Sequence, residues 1–125
     1  MNPSEIIKII DWHKGIPIVI VYEPAKPTVE TVKNNWKYVQ KLTEGKKFHM
    51  INDISKAPPP KADVRHAVQE TLVEMEPYLM SSQVYAGDSF LLQTALKFIA
   101  ASMRMKNFNL VKSINAAIEN IKNEH

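Results

Sequence analysis

The stretch "NDISKAPPPKADVR", residues 52–65, decides how this chain is read. It follows the apolar run "KFHMI", passes through Pro58, Pro59 and Pro60, and opens onto apolar residues at helical spacing. Each proline fixes its own φ and disfavours helix in the residue before it, so the segment stays extended until Lys61. Beyond it, Val64, Val68, Thr71, Leu72, Met75 and Leu79 trace one face of a helix. Pro77 has no N–H for the helical ladder, so this helix should end near Glu76. Strand, stiff connector and helix, in that order, begin a crossover of an α/β sheet.

The segments on either side continue the alternation. Ile6, Ile7, Ile9 and Ile10 are β-branched and Trp12 follows, which favours a strand up to His13. His13 to Gly15 turn the chain, and "IPIVIVY", Ile16 to Tyr22, is a strand apolar enough to be covered on both faces. The two are expected to form an antiparallel hairpin, with Pro17 near the start of its strand. After "EPAKP", Thr28 caps a helix whose apolar face carries Val29, Val32, Trp36, Val39 and Leu42. Gly45 is the expected residue just past its end. Lys47 to Ile54 and Ser82 to Gly87 read as strands, and Asp88 or Ser89 caps a helix reaching about Met105. "NFNLVK" is the last strand, and Ser113 caps a closing helix through Ile114, Ala117, Ile118 and Ile121. The order β, β, α, β, α, β, α, β, α predicts one α/β domain over residues 1–125. Its sheet is mixed and mostly parallel, with an N-terminal antiparallel hairpin and four helices.

Composition removes several functional classes. The chain has 125 residues and no cysteine, so disulfides and thiolate chemistry are excluded, and a zinc site would need His and carboxylates alone. "IPIVIVY" is far shorter than the roughly 20 residues of a membrane span, and its flanking Asp11 and Glu23 do not suit a secretory signal. A cytoplasmic protein without a transmembrane segment is the expectation. The net charge of +3 is spread along the chain rather than massed. Lys33, Lys37 and Lys41 make a basic row, but Trp36 falls on the opposite helix face, so no stacking platform forms beside them and nucleic acid is not an expected partner.

No chemical motif stands out. None of His13, His49, His66 and His125 shows the i, i+4 pairing of a helical metal site, and no nucleophile elbow or glycine-rich phosphate loop is present. Asp53 ends a strand where open α/β sheets often place chemistry, yet it or Ser55 equally serves to satisfy backbone N–H groups there. No catalytic residue, metal or cofactor is therefore expected. The helix after Gly87 is the unusual element. Leu91, Ala95 and Phe98 form one apolar row, and Leu92, Leu96, Ile99 and Met103 form a second beside it. Together they span about 160°, more than a surface helix needs. The surplus can pack internally, meet a second copy in a homodimer, or line an apolar ligand pocket.

Three stretches resemble the SpoIIAA-like branch of the STAS fold, small bacterial proteins related in shape to anti-sigma-factor antagonists. They are "MINDISKAPPPKADVRHAV", "VYAGDSFLLQTALKFIAAS" and "FNLVKSINAAIENI". The resemblance implies a non-enzymatic regulatory module that binds a protein partner. Phosphorylation-switched members carry Ser or Thr where the helix after the loop begins. Here Asp63 is followed by Val64, and no hydroxyl residue occurs between Ser55 and Thr71, so that switch is not carried over. The candidate interaction surface combines Asp53, Ser55, Lys56, Pro59 and Arg65 with Leu92, Leu96, Ile99 and Met103. A carrier of a small apolar or lipid-like ligand is the alternative.

Overall fold

The structure, a computed structural model, describes residues 2–102 and 108–125, with Ile99 and Ser102 described by their backbone alone. Its elements run α1 (Pro3–Ile6), β1 (Ile7–His13), β2 (Ile16–Tyr22), α2 (Val29–Leu42), β3 (Phe48–Asp53), α3 (Ala62–Met75), β4 (Leu79–Tyr85), α4 (Phe90–Ser102), β5 (Phe108–Val111) and α5 (Ile114–Glu124). The five strands lie side by side in sequence order. β1 is antiparallel to β2, and β2 to β5 are parallel neighbours. The α/β class, the hairpin and the mixed sheet are those expected from the sequence.

Sequential strand order has a consequence for the layers. Right-handed crossovers between adjacent parallel strands put every connecting helix on the same face. α2, α3 and α4 accordingly cover one face, where Val19, Val21 and Met50 meet Trp36, Val39 and Met75. The other face is left to α5, whose Ala117 and Ile121 bury against Ile18, Ile20 and Ile51. Neighbouring elements are tied by single polar contacts. The Trp36 Nε1–H donates to Glu74 Oε2 at 2.8 Å, joining α2 to α3. Lys122 Nζ lies 2.7 Å from Asp11 Oδ2, joining α5 to β1, and this bond holds the Asp11 carboxyl below its ordinary pKa.

Caps explain most boundaries. Thr28 and Thr31 form a reciprocal capping box on α2, Ser89 Oγ accepts from the Leu92 N–H on α4, and Ser113 Oγ accepts from the Ala116 N–H on α5. α3 ends at Met75, just ahead of Pro77. Three details differ from the sequence reading. A fifth helix, the single turn α1, takes Ile6 from the first strand because Asn2 caps Ser4 and Pro3 is preset for a first helical position. Leu79 belongs to β4 rather than to the preceding helix, because the turn at Tyr78 already pairs its N–H with Met75 O and Phe48 N–H with Tyr78 O. At the end of α2 the left-handed residue is Glu44 (φ 55°), followed by Gly45 (φ 69°). The N–H of Gly45 bonds Gln40 O and that of Glu44 bonds Lys41 O, which is the Schellman pattern. The α4 helix is described to Ser102; Met103, Met105 and Asn107 lie outside the described residues. Among the described residues no helix is long and apolar enough to cross a membrane.

Candidate functional site

On the three-helix face the parallel strands present Val21, Met50, Asn52, Ser82, Val84 and Phe108 as a floor. Above it stand Asn35, Trp36 and Val39 of α2, Val64, Val68 and Leu72 of α3, and Leu92, Ala95, Leu96 and Ala100 of α4. The proline connector closes one side with Ala57, Pro58 and Pro60. These residues enclose a cavity of about 170 Å³. Its origin is legible in side-chain size: α4 turns two alanines inward where the sheet offers Ser82 and Val84, and small residues facing small residues leave space. Pro58 and Arg65 are the exposed members of the lining, so they mark the mouth.

The lining is mainly hydrocarbon, with a few polar groups in distinct states. The Thr71 hydroxyl is committed to Ala67 O at 2.8 Å. Asn35 is buried, and among the described residues its Oδ1 has no hydrogen-bond partner. Glu23 follows the last residue of β2, where its N–H bonds Asp53 O at 2.9 Å. Loss of water around its carboxyl raises the pKa from 4.5 to about 7, so near neutral pH it is often uncharged. Among the described residues it has no ion-pair partner.

Asp53 and Ser55 do not reach into this space as reacting groups. Asp53 Oδ1 accepts from the Ser55 N–H at 3.0 Å and from the Ser55 hydroxyl at 2.6 Å, ending the strand in a local turn. Lys56 and Pro59 point to solvent on the outside of the loop. Arg65, Leu92 and Leu96 do line the cavity. The side chain of Ile99 and all of Met103 are outside the described residues. Sequence reasoning missed Glu23 and Asn35. Asn35 carried a signal, since its spacing from Val32 and Val39 puts it on the apolar side of α2.

The single-helix face holds a second polar group of residues. His49 is buried, and its Nδ1 is 2.8 Å from Ser81 Oγ. Its ring lies 6.3 Å from that of His13 and 5.5 Å from that of His125. Burial, aided by the two neighbouring imidazoles, lowers its pKa to about 4, so it is neutral at physiological pH. Among the described residues His13 Nε2 and Gln83 Nε2 are buried without partners, and Gln83 Oε1 accepts from Asn120 Nδ2 at 3.4 Å. Among the described residues no three His or acidic side chains are arranged to hold a metal ion. His66 and Glu70 form an exposed pair at 2.8 Å on α3, a solvated contact.

No protein-family model matches the chain, and no curated protein matches it significantly.

Proposed function

We propose that this protein is a non-catalytic binding module that takes a small, mostly apolar ligand between the sheet and helices α2, α3 and α4. The cavity of about 170 Å³ carries the reading. An engineered apolar cavity of about 150 Å³ accommodates benzene, so the space has the size of a compact organic molecule. It opens beside the carboxyl ends of β2 and β3, where open α/β sheets commonly bind ligands. Glu23 and Arg65 are its ionisable lining groups, and the rest of the lining is mainly hydrocarbon, which suits an apolar ligand. Native mass spectrometry of protein purified under non-denaturing conditions should show a small-molecule adduct. Ala95→Leu, which fills the space, should lose that adduct while staying folded. An adduct of equal abundance on the filled variant would sink the proposal.

A second reading is a STAS-like interaction module, and exposed apolar residues on α4 favour it. Phe90, Leu91 and Phe98 are 80%, 65% and 75% exposed. The mixed sheet with its N-terminal hairpin also suits the resemblance to SpoIIAA-like proteins. Because Leu92 and Leu96 turn toward the cavity, the row to test for self-association is Leu91 with Phe98. Sedimentation should show a dimer that a Leu91→Glu, Phe98→Glu double variant dissociates. A wild-type monomer at high concentration removes homodimerisation.

A further inference from the structure

Glu23, the acidic residue among the described lining, narrows what the cavity accepts. It stands at the carboxyl end of β2, tied by its N–H to Asp53 O at 2.9 Å, on the side where the proline connector and Arg65 form the mouth. The residue is half-buried and keeps accessible surface, unlike the sealed Oδ1 of Asn35. Its carboxyl has nevertheless lost most of its water. Nearby charges do not compensate for that loss. Asp53 commits its Oδ1 to Ser55, and Glu23 forms no ion pair among the described residues. Arg65 is exposed, so water screens its guanidinium. A carboxyl in such a place either keeps its proton or gains a cation from outside.

We propose that the cavity takes a compact apolar amine, its ammonium at the Glu23 carboxylate and its hydrocarbon part among Trp36, Met50, Leu72 and Leu92. This rests on the ligand-binding reading above. Position makes the charge tolerable. Glu23 lies on the mouth side, so the ammonium keeps part of its hydration while the hydrocarbon part gives up its own. A carboxylate ligand could meet Arg65, but it would set like charge against an ionised Glu23. Size follows from the volume, which slightly exceeds that of a cavity filled by a single six-membered ring. Forming the pair requires Glu23 to release its proton. Because the free carboxyl titrates near 7, the amine should bind more tightly as pH rises through that value. A carboxylate ligand would show the opposite sign.

Three probes of one shape test this on the wild-type protein at pH 6 and pH 8: cyclohexylmethylamine, cationic; cyclohexylmethanol, uncharged; and cyclohexanecarboxylate, anionic. Dissociation constants come from backbone amide shifts in NMR titrations. At pH 8 the amine should bind about tenfold or more tightly than the alcohol. Its own affinity should fall about tenfold at pH 6, where Glu23 is mostly protonated, while that of the alcohol holds. The carbon-13 shift of the Glu23 carboxyl should titrate at a lower pH in the presence of the amine. Glu23→Gln should bring amine and alcohol within about threefold of each other at both pH values. Equal affinity of the wild type for amine and alcohol at pH 8 overturns the amine assignment while leaving the ligand-binding reading in place. Tightest binding by the carboxylate, strengthening toward pH 6, also overturns it, because the ligand's charge must then rest on Arg65. Failure of the amine to bind overturns it as well, and if the adduct of the preceding section is also absent, the ligand-binding reading itself fails. The wild-type measurements do not depend on whether Glu23→Gln folds.

Discussion

The two faces of one sheet are built to different standards of fit. Under α5 the apolar part of the layer is closely packed: Ile18, Ile20, Ile51, Ala117 and Ile121 are all fully buried. Ala117 has no side chain beyond Cβ, and α5 accordingly lies close to β3, β4 and β5. Under α2, α3 and α4, three helices share a floor that includes Ser82 and Asn52, and a cavity remains. The lesson is that more covering helices do not mean a better-filled layer. Filling depends on whether large residues face small ones, and α4 sets alanines over serine and valine.

That contrast can be broken by mutation, beginning with the largest effect. Ile121→Ala removes a fully buried side chain from the tight face and should cost about 2–5 kcal/mol in urea unfolding. A cost well under about 1 kcal/mol would mean that α5 is loosely docked. On the cavity face the opposite substitution is informative. Ala95→Leu adds volume where space exists and should change stability by less than about 1 kcal/mol, whereas Ala117→Leu should cost about 1–3 kcal/mol by overpacking. Similar losses from both would erase the distinction between the faces.

Acid titration gives the second comparison, because each face holds one ionisable group displaced chiefly by burial. Glu23 binds its proton more tightly folded than unfolded, about 7 against 4.5, so its contribution to stability is complete below about pH 4.5 and is lost as pH rises toward 7. His49 has the reverse sign. Its folded value of about 4 lies below 6.5, so its contribution is complete above about pH 6.5 and is lost as pH falls toward 4. The slopes oppose one another, and the wild-type melting temperature should be nearly flat from about pH 4.5 to 6.5. Glu23→Gln should then melt higher as pH rises, and His49→Gln lower, each by the equivalent of about 1–3 kcal/mol across the window. Parallel behaviour of the two variants would show that one of the environments is misassigned. The groups around His49 are His13 from β1, Ser81 from β4 and His125 beyond α5, so His13→Asn should move the His49 window slightly upward. This is the smallest of the expected effects.

Much of the fold was legible because local chemistry and global topology agree. Thr28 and Ser113 cap the helices they were expected to cap, Pro77 stops α3, and the apolar run is buried from Pro17 to Val21, with Ile16 half-buried and Tyr22 exposed at its ends. Glu44 shows where such reading weakens. The glycine beside it drew the cap assignment, although a Schellman turn places the first left-handed residue one position earlier. The site was harder to read for a physical reason. A void depends on the volumes of Ala95, Ala100, Ser82 and Val84, which lie on β4 and on the helix that follows it and come to line one space only through tertiary packing. Likewise, His13 and His49 become neighbours only through the register that sets His13 beside Ile16 and Ile18 beside His49. Periodicity reveals which face a residue occupies; it is silent about how well two faces match.

One close approach joins the proline loop to the turn ahead of α4. Gly87 adopts φ 64°, and a Cβ built on it would come within 3.2 Å of the Ser55 Cβ. The segment leading into α4 therefore lies against the proline loop with little room to spare, and a side chain at Gly87 would both strain the backbone and push Ser55 aside by a few tenths of an ångström.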